Sequence, residues 1–339
     1  MTHPYPALGT GSGCDDRAGL PGRAIIREVG LRDGLQSITR VLATAHKIEW
    51  IRDAYAAGQR EIELGSFVPA RLLPQLADTA ELLAFAKTLP GLSASVLVPN
   101  LKGAERAMEC EADSMLLPLS ASHAHSLANL RSTPDEVLLE IERIVAARNG
   151  RGSRTLIEVG ISTAFGCTLQ GRVEPAEVLR LVRAVLAAGV DRVGLADTVG
   201  YADPAMVRSL FQQALALAGD KLGCAHFHDT RGLGLANVCA ALQLGVTRFD
   251  ACLGGIGGCP HAPGASGNIS SEDLAWLLRS MEIETGIDID ALLALRKRLA
   301  LWLEGEPMYG TIWRAGLPRT LRAAATRQDS ANSIEEPAT

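Results

Sequence analysis

The sequence predicts a (β/α)8 TIM barrel with additional C-terminal helices, on three observations. A short apolar or β-branched run, a turn and an amphipathic helical stretch recur about eight times between residues 23 and 318. Ionisable side chains gather at the C-terminal ends of these runs, where a parallel barrel carries its chemistry. The alternative, an open doubly wound sheet, lacks its main sign, because no GxGxxG follows the first run.

Each element has a local reason. The strands are read at Ala24–Val29, Glu61–Leu64, Ala94–Leu97, Ser114–Pro118, Leu156–Val159, Arg192–Leu195, Gly223–Phe227 and Arg248–Cys252. Between most of them lie Ala-, Leu-, Glu- and Arg-rich stretches with apolar residues at helical spacing: Lys47–Ala57, Pro134–Arg148, Pro175–Ala188, Pro204–Ala218 and Gly234–Leu244. Thr133 before Pro134 and Asp203 before Pro204 read as an N-cap followed by a first-turn proline, and Gly189 and Gly245 as stops. Glu272–Leu303 supplies closing helices. Residues 1–22 read as a flexible segment, 23–318 as the barrel domain and 319–339 as a polar, disordered tail.

Composition narrows the function. Of the 339 residues, 47% are hydrophobic but only 4% aromatic, which suits a large aliphatic core in one domain. A formal charge of −5, with no run of five basic residues, gives no footprint for nucleic acid or an anionic membrane, so the expected partner is a small molecule. Seven scattered cysteines without a CxxC pair argue against a disulfide framework and for a reducing, cytoplasmic setting. The N-terminal stretch reads as no secretory signal, and no segment has the roughly 18–20 apolar residues of a membrane helix.

Three strand ends carry groups that an ordinary core avoids. The first strand runs into a Gly-containing loop, Gly30-Leu31-Arg32-Asp33-Gly34, and the seventh ends in His226-Phe227-His228-Asp229. Side chains two apart on a strand share a face, so His226 and His228 both point to the barrel axis. Two imidazoles and a carboxylate suit a divalent transition metal, or magnesium more weakly. The third is the Gly-rich stretch 254–268, whose glycines permit a loop that closes over a substrate and whose end carries Asn268, a neutral oxygen ligand. Taken alone, His226 and His228 fit two satisfied core histidines better than a metal site; Asp33 and Asn268 at matching strand ends reverse that balance. The other HxH, His123-Ala-His125, has no neighbouring carboxylate and reads as a solvated loop.

The chain resembles the 3-hydroxy-3-methylglutaryl-CoA lyases, metal-dependent lyases with an Arg-Asp dyad on a TIM barrel. The resemblance runs over about residues 24–290 and rests on VGLRDGLQ, IELGSFV, VPNLKG, AFGC, LADTVG, HFHDT, GGIGGCP and GASGNISSEDL, in that order. It implies that Asp33, His226, His228 and Asn268 hold one divalent ion, Mg2+ or Mn2+. It further implies that Arg32 stabilises a thioester enolate, that Glu28, Glu63, Asp197 and Glu272 order the site, and that Cys259 sits on a covering loop. His226 is also read as carrying part of the proton transfer, since an unperturbed imidazole titrates near pH 6.5. Arg32, Gln36, Asn100 and Cys167 are the expected contacts to an acyl-CoA substrate, and a homodimer is the expected assembly.

The chain departs from the family pattern at Thr39, which replaces a lysine and is followed by Arg40, and at Thr168-Leu169-Gln170 after AFGC. The acyl group therefore stays open between hydroxymethylglutaryl, citramalyl and isoprenoid-hydroxyglutaryl thioesters. An acyl-CoA Claisen condensation enzyme on the same barrel, or a barrel that binds metal or CoA as a regulator, is the alternative of another class.

Overall fold

The computed structural model describes residues 19–258 and 267–318. Eight parallel strands, β1 (Ile25–Glu28), β2 (Glu61–Ser66), β3 (Ser93–Leu97), β4 (Ser114–Ser120), β5 (Leu156–Ser162), β6 (Arg192–Asp197), β7 (Leu222–Phe227) and β8 (Arg248–Ala251), pair in sequence order, and β8 pairs back onto β1 to close the barrel. The helices around them are α1 (Thr44–Ala56), α2 (Thr79–Ala86), α3 (Leu101–Glu109), α4 (His123–Leu130), α5 (Pro134–Arg151), α6 (Pro175–Ala188), α7 (Pro204–Ala218) and α8 (Gly234–Leu242). After β8 come α9 (Ser271–Ser280), α10 (Ile289–Trp302) and the short α11 (Ile312–Ala315), the additional C-terminal helices expected from the sequence.

The predicted start signals are used. Thr133 accepts from Glu136 N–H and the Glu136 side chain accepts from Thr133 N–H, a complete capping box at α5, while Asp203 accepts from Ala205 and Met206 at α7. Alternation along β7 sets what each face does. Phe227 points outward onto Phe211 of α7, with ring centroids 6.0 Å apart, and its neighbours His226 and Cys224 on the other face point into the barrel.

Two readings change. His123–Leu130 is a helix rather than a solvated loop, and His125 is buried, with Nδ1 3.1 Å from Ser120 Oγ. The start of α4 is fixed by Ser122, whose Oγ accepts from His125 N–H and donates to Gln170 Oε1 at 3.0 Å. The segment carrying Arg32 and Asp33 is not an open loop but a single π-helical turn, Gly30–Gly34. Among the described residues no helix is long and apolar enough to cross a membrane, and Cys110, Cys167, Cys224, Cys239 and Cys252 are free thiols.

Candidate metal centre and active site

The turn after β1 places Asp33 opposite the end of β7. One ligand atom from each of Asp33, His226 and His228 lies within 4.8 Å of the others. The two imidazoles come from one strand face as the spacing requires, with ring centroids 5.0 Å apart, and His228 Nε2 stands 3.9 Å from Asp33 Oδ2. Asn268 reaches the group from the segment after β8, donating Nδ2–H to Asp33 Oδ2 at 2.6 Å and to Ile256 O at 3.1 Å. Close approach here demands glycine: at Gly257, with φ +106°, a Cβ would stand 2.6 Å from Asn268 Nδ2 and 3.1 Å from Asp33 O.

Arg32 sits beside this group with its two Nη atoms engaged by carboxylates. Nη1 is 2.5 Å from Asp33 Oδ1 and Nη2 is 2.8 Å from Glu63 Oε2. The remaining donor, Nε, is buried and makes no protein hydrogen bond. Gln36 Nε2 donates to Asp33 Oδ1 at 3.3 Å, so the aspartate is supported on both oxygens.

Burial and neighbours set the charges. Burial by itself would raise the Asp33 carboxyl, but Arg32 and the two histidines outweigh it and hold it below its usual range. His228 is pushed down to about 3 by burial and by His226, so it is a neutral imidazole at physiological pH. His226 moves the other way: burial lowers it, but the bond to Asp250 raises it further. Burial lifts Glu63 despite Arg32, and lifts Asp197 to about 6.

The donor set fits a divalent cation. Asn268 Oδ1 is a buried acceptor without a protein hydrogen bond, beside an ionised carboxylate and the neutral His228 imidazole, whose Nε2 faces Asp33. Buried acceptors left unpaired are costly, and a hard or borderline cation satisfies oxygen and imidazole nitrogen together.

The other sequence candidates occupy the same end of the barrel without joining this cluster. Asp197, at the end of β6, accepts from Tyr201 N–H at 2.8 Å and Ala202 N–H at 3.0 Å and so shapes its own loop. Asn100, exposed after β3, caps α3 by accepting from Gly103 N–H at 2.9 Å. Cys167 is buried after β5, bridged through its backbone to Gly171. Glu28 and Glu272 anchor the base of the Gly-rich stretch: Glu28 accepts from Leu253 N–H and Ser271 Oγ–H, and Glu272 from Gly254 N–H and Ser270 Oγ–H, with Arg296 Nε 2.6 Å from Glu272 Oε1. Cys259 lies outside the described residues.

Sequence reasoning missed three residues. Arg27, Glu158 and Asp250 are charged and buried in the barrel interior, with Arg27 donating to both carboxylates, and Asp250 touches His226. Only Glu158 carries a clear signal, a charged residue within the apolar run of β5; Arg27 and Asp250 lie on strands with a second charged residue, Glu28 and Arg248.

Residues 23–299 match the HMGL-like family model. The chain belongs to the HMGL-like family. Membership makes it a carbon–carbon lyase, and it bears out the resemblance carried by the motifs. The hydroxymethylglutaryl-CoA lyase of Bacillus subtilis is 36% identical over 85% of this chain and 95% of its own length. The (R)-citramalyl-CoA lyase of Chloroflexus aurantiacus is 39% identical over 86% of this chain and 94% of its own. A solved HMG-CoA lyase from Acinetobacter baumannii, in complex with coenzyme A and 3-methylmalate, superposes with a TM-score of 0.83 at 40% identity, covering 88% of this chain and 96% of that one.

Proposed function

We propose that this HMGL-like lyase cleaves 3-hydroxy-3-methylglutaryl-CoA to acetyl-CoA and acetoacetate, with one divalent ion, Mg2+ or Mn2+, held by Asp33, His226, His228 and Asn268. The observation that supports it above all is the joint placement of Arg32 with three ligand-bearing side chains within 4.8 Å at the C-terminal end of the barrel. A divalent ion in that position makes a bound hydroxyl easier to deprotonate and draws electron density from a bound carbonyl.

The bond that breaks joins C2 and C3 of the acyl group. The C3 hydroxyl loses its proton and becomes the ketone of acetoacetate; the electron pair of the broken bond passes to the thioester as an enolate, which takes a proton at C2. Arg32 is fixed on two sides before that charge develops, so its guanidinium is a positioned cation for the enolate. Gln36 and Glu63 hold Asp33 and Arg32 in place. Asn100 and Cys167 remain the proposed substrate contacts, and Asp197 keeps the loop after β6 in position.

His226 was read as both ligand and proton carrier. Its Nδ1 is engaged by Asp250, which leaves Nε2 for either task. One nitrogen does not offer its lone pair to an ion and carry a proton at once, so the proposal keeps His226 as a ligand. His226→Ala separates the two: loss of bound metal supports the ligand role, and loss of rate with full metal content supports the proton role.

A second substrate is favoured by one observation, the 39% identity to a citramalyl-CoA lyase, at the level of the hydroxymethylglutaryl-CoA lyases. The kcat/KM values for 3-hydroxy-3-methylglutaryl-CoA and (R)-citramalyl-CoA, measured side by side, decide between them. A higher value for the citramalyl thioester overturns the acyl assignment and leaves the lyase standing. The reading also includes a homodimer and a cytoplasmic setting, the latter in keeping with the buried free thiols of Cys167, Cys224 and Cys252.

A further inference from the structure

Arg27 on β1, Asp250 on β8 and His226 on β7 stand in register across three neighbouring strands. Partners at one level of parallel strands project to the same face, and here that face is the barrel interior. Arg27 donates through Nε to Asp250 Oδ1 at 2.7 Å and through Nη2 to Asp250 Oδ2 at 3.1 Å. The guanidinium also spans the barrel to Glu158 on β5, through Nη1 at 3.1 Å and Nη2 at 3.0 Å. Cys224 Sγ–H donates to Asp250 Oδ1 at 3.2 Å. Asp250 Oδ2 lies 3.1 Å from His226 Nδ1.

A bidentate pair with arginine fixes the plane of a carboxylate, and an ionised carboxylate has only acceptors to offer. His226 Nδ1 must then be the donor in its contact with Asp250. An imidazole protonated at Nδ1 carries its lone pair at Nε2, the nitrogen left for the group shared with Asp33 and His228. A purely structural role explains the cluster less well, because buried ion clusters lose in desolvation much of what they gain in attraction.

We propose that Asp250, clamped by Arg27, which Glu158 holds from across the barrel, is a positioning residue that fixes His226 in its Nδ1–H tautomer and so aims Nε2 at the cation site. This rests on the metal-centre reading above. Arg27 acts through Asp250, and Glu158 acts through Arg27.

Asp250→Asn tests it. The amide keeps an oxygen for Arg27 but turns an NH2 group toward His226 Nδ1, which must then accept. The expected results are that nitrogen-15 NMR of the metal-free variant finds the His226 proton moved from Nδ1 to Nε2, and that Mn2+ binding, followed by electron paramagnetic resonance, weakens about 10- to 100-fold. A folded variant with wild-type tautomer and wild-type Mn2+ affinity overturns the proposal, even if its thermal stability has fallen. Should the variant not fold, the metal-free wild type decides at a pH high enough for the ring to be neutral: Nδ1–H supports the proposal and Nε2–H overturns it. Failure of the wild type itself to bind Mn2+ removes the metal-centre reading and this inference with it, an outcome distinct from unchanged affinity in Asp250→Asn.

Discussion

Asn268 donates Nδ2–H to Asp33 Oδ2 at 2.6 Å, tying the segment after the last strand to the turn after the first. The bond closes the ring of site residues where the barrel itself closes, and it leaves Asn268 Oδ1 without a protein partner. Replacing Asn268 by Ala removes this tie and leaves Ile256 O without its side-chain donor. Metal-free Asn268→Ala is expected to lose about 1–3 kcal/mol in urea unfolding. Unchanged stability means that the two loops are held together by something else.

His228 contributes a neutral, buried imidazole whose Nε2 faces Asp33. His228→Ala should lower bound metal and turnover together, measured by elemental analysis of the purified protein and by rate. Wild-type metal stoichiometry in the variant removes His228 from the site.

Arg32 acts on charge that develops in the reaction rather than on the ion. Arg32→Gln should keep its metal and lose turnover by roughly 10^2-fold or more, as when other fixed electrostatic donors are removed. Near-wild-type turnover with metal bound contradicts that role.

Much of this was legible beforehand, for identifiable reasons. The eight strands were visible because each buried run interrupts a helical pattern. Their C-terminal limits were not: β4 and β5 continue to Ser120 and Ser162, polar residues that resemble loop in a hydrophobic pattern but pair in the sheet. Helix α4 was missed although its N-cap, Ser122, is a local signal; Gln170, 48 residues on, adds bonds to Ser122 Oγ and Ala124 N–H that no local pattern shows. The ligand-bearing strand ends were readable from spacing and motif, whereas Arg27, Glu158 and Asp250 acquire meaning only once the barrel is closed and their strands stand in register.

Gly257 is a position where the backbone itself serves the site. Gly257→Ala puts a methyl group 2.6 Å from Asn268 Nδ2 at a φ of +106°. The variant is expected to lose about 1–3 kcal/mol of stability through strain and to bind Mn2+ more weakly by displacement of Asn268. Wild-type Mn2+ affinity is the contrary result.

Glu28 gives a pH dependence of known sign. Burial raises its carboxyl from 4.5 to about 7 against the opposing bonds from Ser271, Leu253 and Gly30. The folded state therefore holds this proton more tightly than the unfolded state, so Glu28's contribution to stability is fully present below pH 4.5 and is lost as pH rises to about 7. The loss is on the order of 3 kcal/mol. Glu28→Gln imitates the protonated form, so its stability relative to wild type should improve between pH 4.5 and 8 in denaturant unfolding. A difference that stays constant with pH contradicts the assignment.

The most direct test of the proposed activity is the release of products from 3-hydroxy-3-methylglutaryl-CoA by the purified, metal-replenished protein, with and without a chelator. Equal amounts of acetyl-CoA and acetoacetate, abolished by the chelator and restored by Mg2+ or Mn2+, are the expected result. Product release at full rate in the chelated protein contradicts the metal centre, and no release by the metal-loaded protein contradicts the substrate.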